Sequence, residues 1–166
     1  MIRALLRDIG ELGAQMALER SSSPGFGAGY RLRVLVVEDE PMIAWMLEAE
    51  IQGLGHEVVG TAAMATQALE LARTTQPDVA IMDIRLADGS DGIDAALRLR
   101  ADLGIPSVFV SGNADEATRI RAAAATPLGF IVKPISLVKL GEILAERYRS
   151  VLTTTAGTKG SSGVGA

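Results

Sequence analysis

Hydrophobic residues fall into short continuous runs that alternate with longer segments of three- and four-residue spacing. The short runs predict five strands, at 31–37, 57–62, 78–83, 106–112 and 129–132. The periodic segments predict helices at 41–55, 66–75, 92–102, 115–125 and 136–152. Because such apolar strands leave no face for water, the alternation predicts an α/β fold, a doubly wound five-stranded parallel sheet with helices on both faces.

The two ends of the chain differ from this alternating body. Residues 1–20 have apolar positions at helical spacing and predict an amphipathic helix, and residues 21–30 have the composition of a linker. The body covers 31–152, which is close to the commonest size of a domain. Residues 153–166 are rich in Gly, Ser and Thr without periodicity, and they predict a disordered tail.

Composition excludes several kinds of site. The chain has 166 residues, no cysteine and one histidine, which excludes disulfides, thiolate nucleophiles and a polyhistidine zinc site within one chain. A net charge of −4 argues against binding a nucleic-acid backbone as the main function. The apolar runs are too short to span a membrane, and no signal peptide is evident, so we expect a soluble cytoplasmic protein.

Polar residues stand where the predicted strands end. The first strand runs into three adjacent carboxylates, those of Glu38, Asp39 and Glu40, and the third strand ends in Asp83. The fourth ends in Ser111, and the fifth is followed by Lys133. Because the carboxyl ends of parallel strands meet at one edge of a sheet, where such folds bind their ligands, these six residues form the candidate site.

These residue types suit phosphoryl chemistry assisted by a divalent cation. Converging carboxylates form the hard-oxygen site that Mg²⁺ prefers, and an ionised Asp83 is a candidate nucleophile. Mg²⁺ and Lys133 can neutralise a transferring phosphoryl group, and Ser111 can donate a hydrogen bond to one of its oxygens. Taken singly, each residue also has a purely structural explanation. The carboxylates before a helix, for example, are favoured by the helix dipole.

The segments that carry these residues resemble the receiver domain of bacterial response regulators in two-component signalling. "VLVVEDEP" is similar to the acidic pair of that family, "VAIMDIRLADG" to its phosphoacceptor segment, "PSVFVSGN" to its hydroxyl strand and "GFIVKP" to its lysine strand. The separations of 44 residues from Asp39 to Asp83 and 22 from Ser111 to Lys133 are also similar. The resemblance covers 31–152 and implies a flavodoxin-like sheet with strand order 2-1-3-4-5.

The resemblance implies a metal site and a phosphoacceptor. Asp83 would accept the phosphoryl group and contact Mg²⁺, with Mn²⁺ as an alternative ion. Asp39 would coordinate the ion directly and Glu38 through water, and the backbone carbonyl of Arg85 would be a further ligand. Glu40 falls outside the acidic pair, and we expect it to serve the start of the following helix.

The resemblance also implies how the phosphoryl group is held and sensed. Ser111 and Lys133 would bind its oxygens, and the Lys133–Pro134 peptide bond would be cis, as proline allows at a cost of about 0.5–1 kcal/mol. Phe130 falls at the aromatic switch position of the family, but a phenylalanine, which lacks the hydroxyl of tyrosine, fits a plain core residue somewhat better. In the switch interpretation, phosphorylation pulls Ser111 inward and Phe130 follows.

A sensor histidine kinase or a histidine phosphotransfer protein would supply the phosphoryl group. Because residues after 152 leave no room for a DNA- or RNA-binding output, we expect a single-domain regulator without nucleic-acid or membrane partners. It would act through a downstream protein or a homodimer, or as a phosphate shuttle or sink. It would not be an enzyme beyond its own Mg²⁺-dependent phosphorylation and dephosphorylation. The alternative is a receiver-fold binding module that works without phosphorylation.

Other phosphate-handling folds fit the motifs less well. A haloacid-dehalogenase-like phosphatase uses a second aspartate two positions after its nucleophile, where this chain has Arg85, and a toprim-type nuclease also needs a D-x-D pair. A glycine-rich nucleotide loop would open a helix, whereas "GLGHEVVG" follows one. His56, within that stretch, is predicted to be an exposed turn residue.

Overall fold

A computed structural model describes residues 30–112 and 115–158 of the chain. The chain divides into two units, Met1–Tyr30 and Arg31–Ala166. The predicted N-terminal helix at 1–20 and almost all of the predicted linker at 21–30 lie outside the described residues, so both remain predictions.

The second unit alternates strands with helices along its whole described length. The strands are β1 (Arg33–Val37), β2 (Glu57–Ala62), β3 (Val79–Asp83), β4 (Ser107–Ser111) and β5 (Gly129–Val132). The helices are α1 (Pro41–Gly53), α2 (Ala65–Thr75), α3 (Gly92–Leu103), α4 (Glu116–Ala123) and α5 (Leu137–Thr158). Each strand and helix predicted within 31–152 is therefore present, with bounds that differ by a few residues.

The strands form one parallel sheet in the order β2-β1-β3-β4-β5. This confirms the predicted doubly wound fold and its strand order. The register pairs Val37 with Met82, Asp83 with Val110, and Ser111 with Val132. The carboxyl ends of β1, β3, β4 and β5 therefore lie level with one another along one edge of the sheet.

The sheet is covered by apolar side chains on both faces. Successive strand residues point to opposite faces, so Leu35 and Val37 face one side and Val34 and Val36 the other. Leu35 and Val37 belong to a buried cluster with residues of α2, α3 and α4. On helices α1 and α5, outside that cluster, the buried apolar residues include Leu47, Ile51, Leu140 and Leu144. Strands β3 and β4 are buried throughout, as expected for central strands of a parallel sheet.

The helix boundaries follow from capping and turn residues. Pro41 is the first residue of α1, where its missing N–H costs nothing, and the carboxylates of Asp91 and Asp115 cap α3 and α4. Asp91 accepts a hydrogen bond of 2.8 Å from the N–H of Ile93, and Asp115 one of 2.7 Å from the N–H of Thr118. Helix α4 is shorter than predicted and ends at Ala123 instead of 125.

The last helix continues past its predicted end. Helix α5 reaches Thr158, so the prediction of disorder is wrong for 153–158, and residues 159–166 lie outside the described residues. The hydroxyls of Thr153 and Thr154 donate hydrogen bonds of 2.8 Å and 3.0 Å to the carbonyl of Ser150. The threonines thereby bond back into the preceding turn of the helix.

His56 is buried, which corrects the prediction of an exposed turn residue. Only 7% of its surface is exposed, and the centre of its ring lies 6.0 Å from that of Tyr148 in α5. The turn before β2 is thus covered by the last helix. Burial lowers the pKa of His56 below its ordinary value.

Candidate functional site

Two strand ends bring the predicted metal-binding carboxylates together. Glu38 and Asp39 follow β1, whose neighbour β3 ends in Asp83. One carboxylate oxygen from each of these three residues lies within 4.8 Å of the others, and Glu38 and Asp83 are buried. The sequence pattern predicted these residues at one edge of the sheet, and the structure brings their side chains to one point.

Lys133 reaches this cluster from the end of β5, the edge strand two positions beyond β3 in the sheet. It follows β5, and its backbone N–H donates a hydrogen bond of 2.8 Å to the carbonyl of Ser111. Its Nζ atom lies 2.7 Å from Asp83 Oδ2, 3.2 Å from Glu38 Oε1 and 3.4 Å from Glu40 Oε1. The Lys133–Pro134 bond is cis, as predicted. One ammonium group therefore contacts three carboxylates in the described structure.

Glu40 serves the start of α1 with its backbone, as predicted, but not with its side chain. It precedes α1, and its backbone carbonyl accepts hydrogen bonds from Ile43 and Ala44, but its side chain makes no capping hydrogen bond. The carboxylate instead lies beside Lys133. A full charge on a lysine beyond the far strand is a better electrostatic partner for Glu40 than the weak dipole of its own helix.

The charges at the site perturb one another. Burial raises the pKa of Glu38 to about 7, against the opposing effect of its hydrogen bond from Lys133. Burial alone would lower the pKa of Lys133, but its hydrogen bonds to Asp83 and Glu38 outweigh burial and raise it. The lysine is therefore a permanent cation, whereas Glu38 changes charge near neutral pH.

One oxygen of the cluster lacks a hydrogen-bond donor. Glu38 Oε2 is buried and accepts no hydrogen bond from the described residues, although Lys133 Nζ lies 3.1 Å away as an ion-pair partner. A buried oxygen in this condition fits a water bound to a cation. The donor set of Glu38, Asp39 and Asp83 consists of hard oxygens only, which suits Mg²⁺ and Mn²⁺.

The cluster opens to solvent through a cavity of about 390 Å³. Its lining residues are Asp39, Glu40, Asp83, Arg85, Gly112 and Lys133. Arg85 donates its backbone N–H to Asp83 Oδ1 at 3.2 Å, so the loop after β3 fixes the orientation of that carboxylate. The predicted use of the Arg85 carbonyl as a metal ligand stays a prediction.

Ser111 and Phe130 lie on neighbouring strands next to the cluster. Ser111 is buried at the end of β4, one residue beyond the partner of Asp83 in the sheet register. Phe130 is half-buried in β5, and the guanidinium of Arg119 lies 5.3 Å from its ring centre, within the range of a cation–π contact. The roles of Ser111 in phosphoryl binding and of both residues in switching stay predictions.

Sequence reasoning missed two residues that join the start of α3 to its neighbours, Gly92 to the loop after β3 and Asp91 to α4. Gly92 begins α3 and donates its N–H to the carbonyl of Ile84 at 2.9 Å. Asp91, before it, accepts a hydrogen bond of 2.5 Å from Arg121 of α4. The Asp-Gly pair at the start of a predicted helix was the available signal, since aspartate is a preferred N-cap.

Comparison with known proteins identifies the family of this chain. The family profile "Response regulator receiver domain" matches residues 34–145. A crystal structure of the signal receiver domain of a modulated diguanylate cyclase from Desulfovibrio desulfuricans G20 is similar with a TM-score of 0.68 and 30% identity. That similarity covers 73% of this chain and 96% of the other.

Two further similarities are to regulators named PhyR. The phyllosphere-induced regulator PhyR of Methylorubrum extorquens is 32% identical over 147 residues, which are 87% of this chain and 49% of that protein. A crystal structure of a mutant of the anti-anti-sigma factor PhyR from Bartonella quintana has a TM-score of 0.59 and 27% identity. It covers 85% of this chain and 55% of that one. The chain thus spans about half the length of these relatives.

Proposed function

Because the chain belongs to the family of response regulator receiver domains, we propose that it accepts a phosphoryl group on Asp83 in a phosphorelay. The donor would be a phosphohistidine on a sensor kinase or on a histidine phosphotransfer protein. The observation that carries this proposal is the placement of Lys133 Nζ 2.7 Å from Asp83 Oδ2, beside two further carboxylates able to hold a cation.

The proposed reaction is a direct displacement at phosphorus. A carboxylate oxygen of Asp83 forms a bond to phosphorus as the phosphorus–nitrogen bond of the donor breaks, and the nitrogen keeps the electron pair. Glu38, Asp39 and Asp83 would hold Mg²⁺ or Mn²⁺, which supplies positive charge for the phosphoryl oxygens when bound. Lys133 exchanges its contact with the Asp83 carboxylate for one with a phosphoryl oxygen, and the Ser111 hydroxyl donates a hydrogen bond to another.

We propose no enzymatic activity toward other substrates. Hydrolysis of the acyl phosphate by water would return Asp83 to its free form, so that the site catalyses only its own phosphorylation and dephosphorylation. Phe130 would report this change to the surface of α4, β5 and α5 once Ser111 moves toward the phosphoryl group. The cation–π contact from Arg119 links Phe130 directly to α4, which supports this route.

The output is proposed to be a protein contact. Helix α1 exposes the uncharged residues Met42, Trp45, Ala49 and Gln52, and Met42 and Trp45 are 74% and 66% exposed. An apolar surface beside the site supports a protein partner, which could be a phosphodonor, a downstream target or a second copy. One similar structure is that of an anti-anti-sigma factor, which also supports a protein as the target.

Nucleic acid and membrane are not proposed as partners. The net charge of −4 disfavours a nucleic-acid backbone, and among the described residues no helix is long and apolar enough to cross a membrane. The cytoplasm stays the proposed compartment.

Intact mass tests the proposal directly. The purified chain is incubated with Mg²⁺ and acetyl phosphate, alongside Asp83→Asn and a sample with Mg²⁺ chelated. We expect one added phosphoryl group in the wild type with Mg²⁺ and none in the other two samples. Failure of the wild type to gain mass, together with no stabilisation by beryllofluoride, would overturn the proposal. The chain would then be a receiver-fold binding module that works without phosphorylation.

The form of the output is tested by sedimentation with and without beryllofluoride and Mg²⁺. A shift from monomer to dimer would identify a second copy of the chain as the partner of the activated form. An unchanged monomer would leave a different protein, or phosphate transfer to another relay component, as the output.

A further inference from the structure

Glu40 places a carboxylate at the mouth of the phosphoacceptor cavity. Its side chain is 64% exposed, and it lines the cavity together with Asp83 and Lys133. Its backbone N–H donates a hydrogen bond of 3.2 Å to Glu38 Oε1, which fixes the main chain at this point. From this fixed main chain the carboxylate lies at the rim of the cavity, 3.4 Å from Nζ of Lys133.

Glu40 has neither of the two roles that a carboxylate here would ordinarily have. It does not cap α1, and the group of described residues able to hold a cation consists of Glu38, Asp39 and Asp83. Within the described structure, the ion-pair partner of its carboxylate is Lys133, at 3.4 Å. A ligand that enters the cavity therefore lies close to the negative charge of Glu40.

The rim is where the leaving group of the phosphodonor must lie. In a displacement at phosphorus the attacking and leaving atoms are roughly in line, so a donor attacked by Asp83 from the base of the cavity presents its leaving atom to the mouth. Arg85 also lines the mouth and attracts the phosphate of any donor equally. Glu40 lines the same cavity, so its negative charge lies near that leaving atom.

We propose that Glu40 selects phosphodonors with a nitrogen leaving group over acyl phosphates, an inference that rests on the proposed function. Phosphoramidate carries a proton on its bridging nitrogen, and phosphohistidine is attacked with its second ring nitrogen protonated, so both leaving groups start with positive charge. The nitrogen keeps the electron pair of the broken P–N bond and leaves as ammonia or neutral imidazole. Part of the positive charge remains in the transition state. When the P–O bond of acetyl phosphate breaks, the oxygen keeps the pair and leaves as acetate, so negative charge grows beside Glu40.

The test compares second-order rate constants of phosphorylation by phosphoramidate and by acetyl phosphate. Both are measured by intact mass at subsaturating donor and saturating Mg²⁺, in the wild type, Glu40→Gln and Glu40→Lys. Glu57→Gln, which alters an exposed carboxylate at the start of β2, is the matched control. We expect the ratio of the phosphoramidate to the acetyl phosphate rate constant to fall about threefold to tenfold in Glu40→Gln, further in Glu40→Lys, and not in Glu57→Gln.

The outcomes separate this inference from simpler explanations. If both rate constants change by the same factor in Glu40→Gln, Glu40 acts only by holding Lys133, and the inference is wrong. An unchanged ratio in Glu40→Lys also overturns it. If neither donor phosphorylates the wild type and beryllofluoride does not stabilise it, the proposed function fails and the inference fails with it. Raising the salt concentration should shrink the wild-type ratio toward that of Glu40→Gln, because exposed charges are screened.

Discussion

The Cα of Gly92 lies so close to the backbone carbonyl of Asp83 that residue 92 has no room for a side chain. A Cβ at this position would overlap the carbonyl oxygen and come within 3.1 Å of the Cα of Ile84. Both are main-chain atoms that cannot rotate away. The start of α3 and the end of the acceptor strand therefore form one tightly fitted unit.

Replacing Gly92 with alanine should displace the acceptor. We expect Gly92→Ala to lower the free energy of unfolding by about 1–3 kcal/mol, as overpacking does, and to slow phosphorylation of Asp83. Gly53→Ala is the control, since nothing lies within 4 Å of a Cβ there and alanine favours the helix by about 1 kcal/mol. Urea unfolding and intact mass measure both effects. Equal stability of the two variants would contradict the tight fit.

Removing the ammonium of Lys133 should strengthen binding of Mg²⁺. Lys133 and the cation compete for Glu38 and Asp83, so its loss removes a repulsion worth roughly 1 kcal/mol or more. Calorimetric titration of Lys133→Met should therefore show affinity for Mg²⁺ about fivefold or more above wild type. Lys139→Met is the control, because Lys139 contacts the Phe130 carbonyl instead. Unchanged affinity in Lys133→Met would show that the lysine and the cation do not share these carboxylates.

The ion pair between Arg121 and Asp91 should couple α4 to the start of α3 only weakly. The side chains are 54% and 29% exposed, so solvent screens the pair. Asp91→Asn keeps the N-cap while removing the charge. We expect a double-mutant cycle with Arg121→Met to give a coupling of about 0.2–1 kcal/mol in urea unfolding. A coupling near zero would mean that the pair has no part in joining the two elements.

Stability should fall in mild acid because of His56. Its pKa is lowered in the folded state, so its contribution is complete above the ordinary value of 6.5 and is lost as the pH falls below it. Glu38 contributes with the opposite sign, since its raised pKa means that its stabilisation is lost as the pH rises through about 7. His56→Phe keeps a ring beside Tyr148 and leaves Glu38 unchanged.

The difference between wild type and His56→Phe isolates the histidine. Urea unfolding from pH 8 to pH 5 should show the wild type losing stability relative to His56→Phe as the pH falls below 6.5, the ordinary pKa of histidine. Parallel curves for the two proteins would mean that His56 is not desolvated in the folded state.

The sheet and the central site could be predicted from the sequence because both follow from local rules. Apolar runs identify strands, and parallel topology alone brings Asp83 and Lys133, 50 residues apart, to the same edge. The three carboxylates followed from the same topology, whereas the Lys133–Pro134 cis bond was implied only by the resemblance to the receiver family. None of these needed knowledge of how the helices pack.

Two of the errors concern side chains whose surroundings are set by tertiary contacts. His56 is buried because Tyr148, 92 positions later, covers it, and no local pattern contains that contact. The side chain of Glu40 contacts Lys133 instead of capping its own helix for the same reason. The length of α5 was underestimated because glycine and threonine oppose helix formation only weakly once a long helix has already formed.

Trp45 is the only tryptophan of the chain, and it is exposed one turn into the helix that begins beside the site. The protein therefore contains its own optical probe of this surface. A partner that covers α1 should shift the tryptophan emission to shorter wavelength as water leaves the indole. Phosphoryl transfer from a small donor should leave the wavelength almost unchanged. One fluorescence spectrum would thus distinguish docking of a protein from chemistry at Asp83.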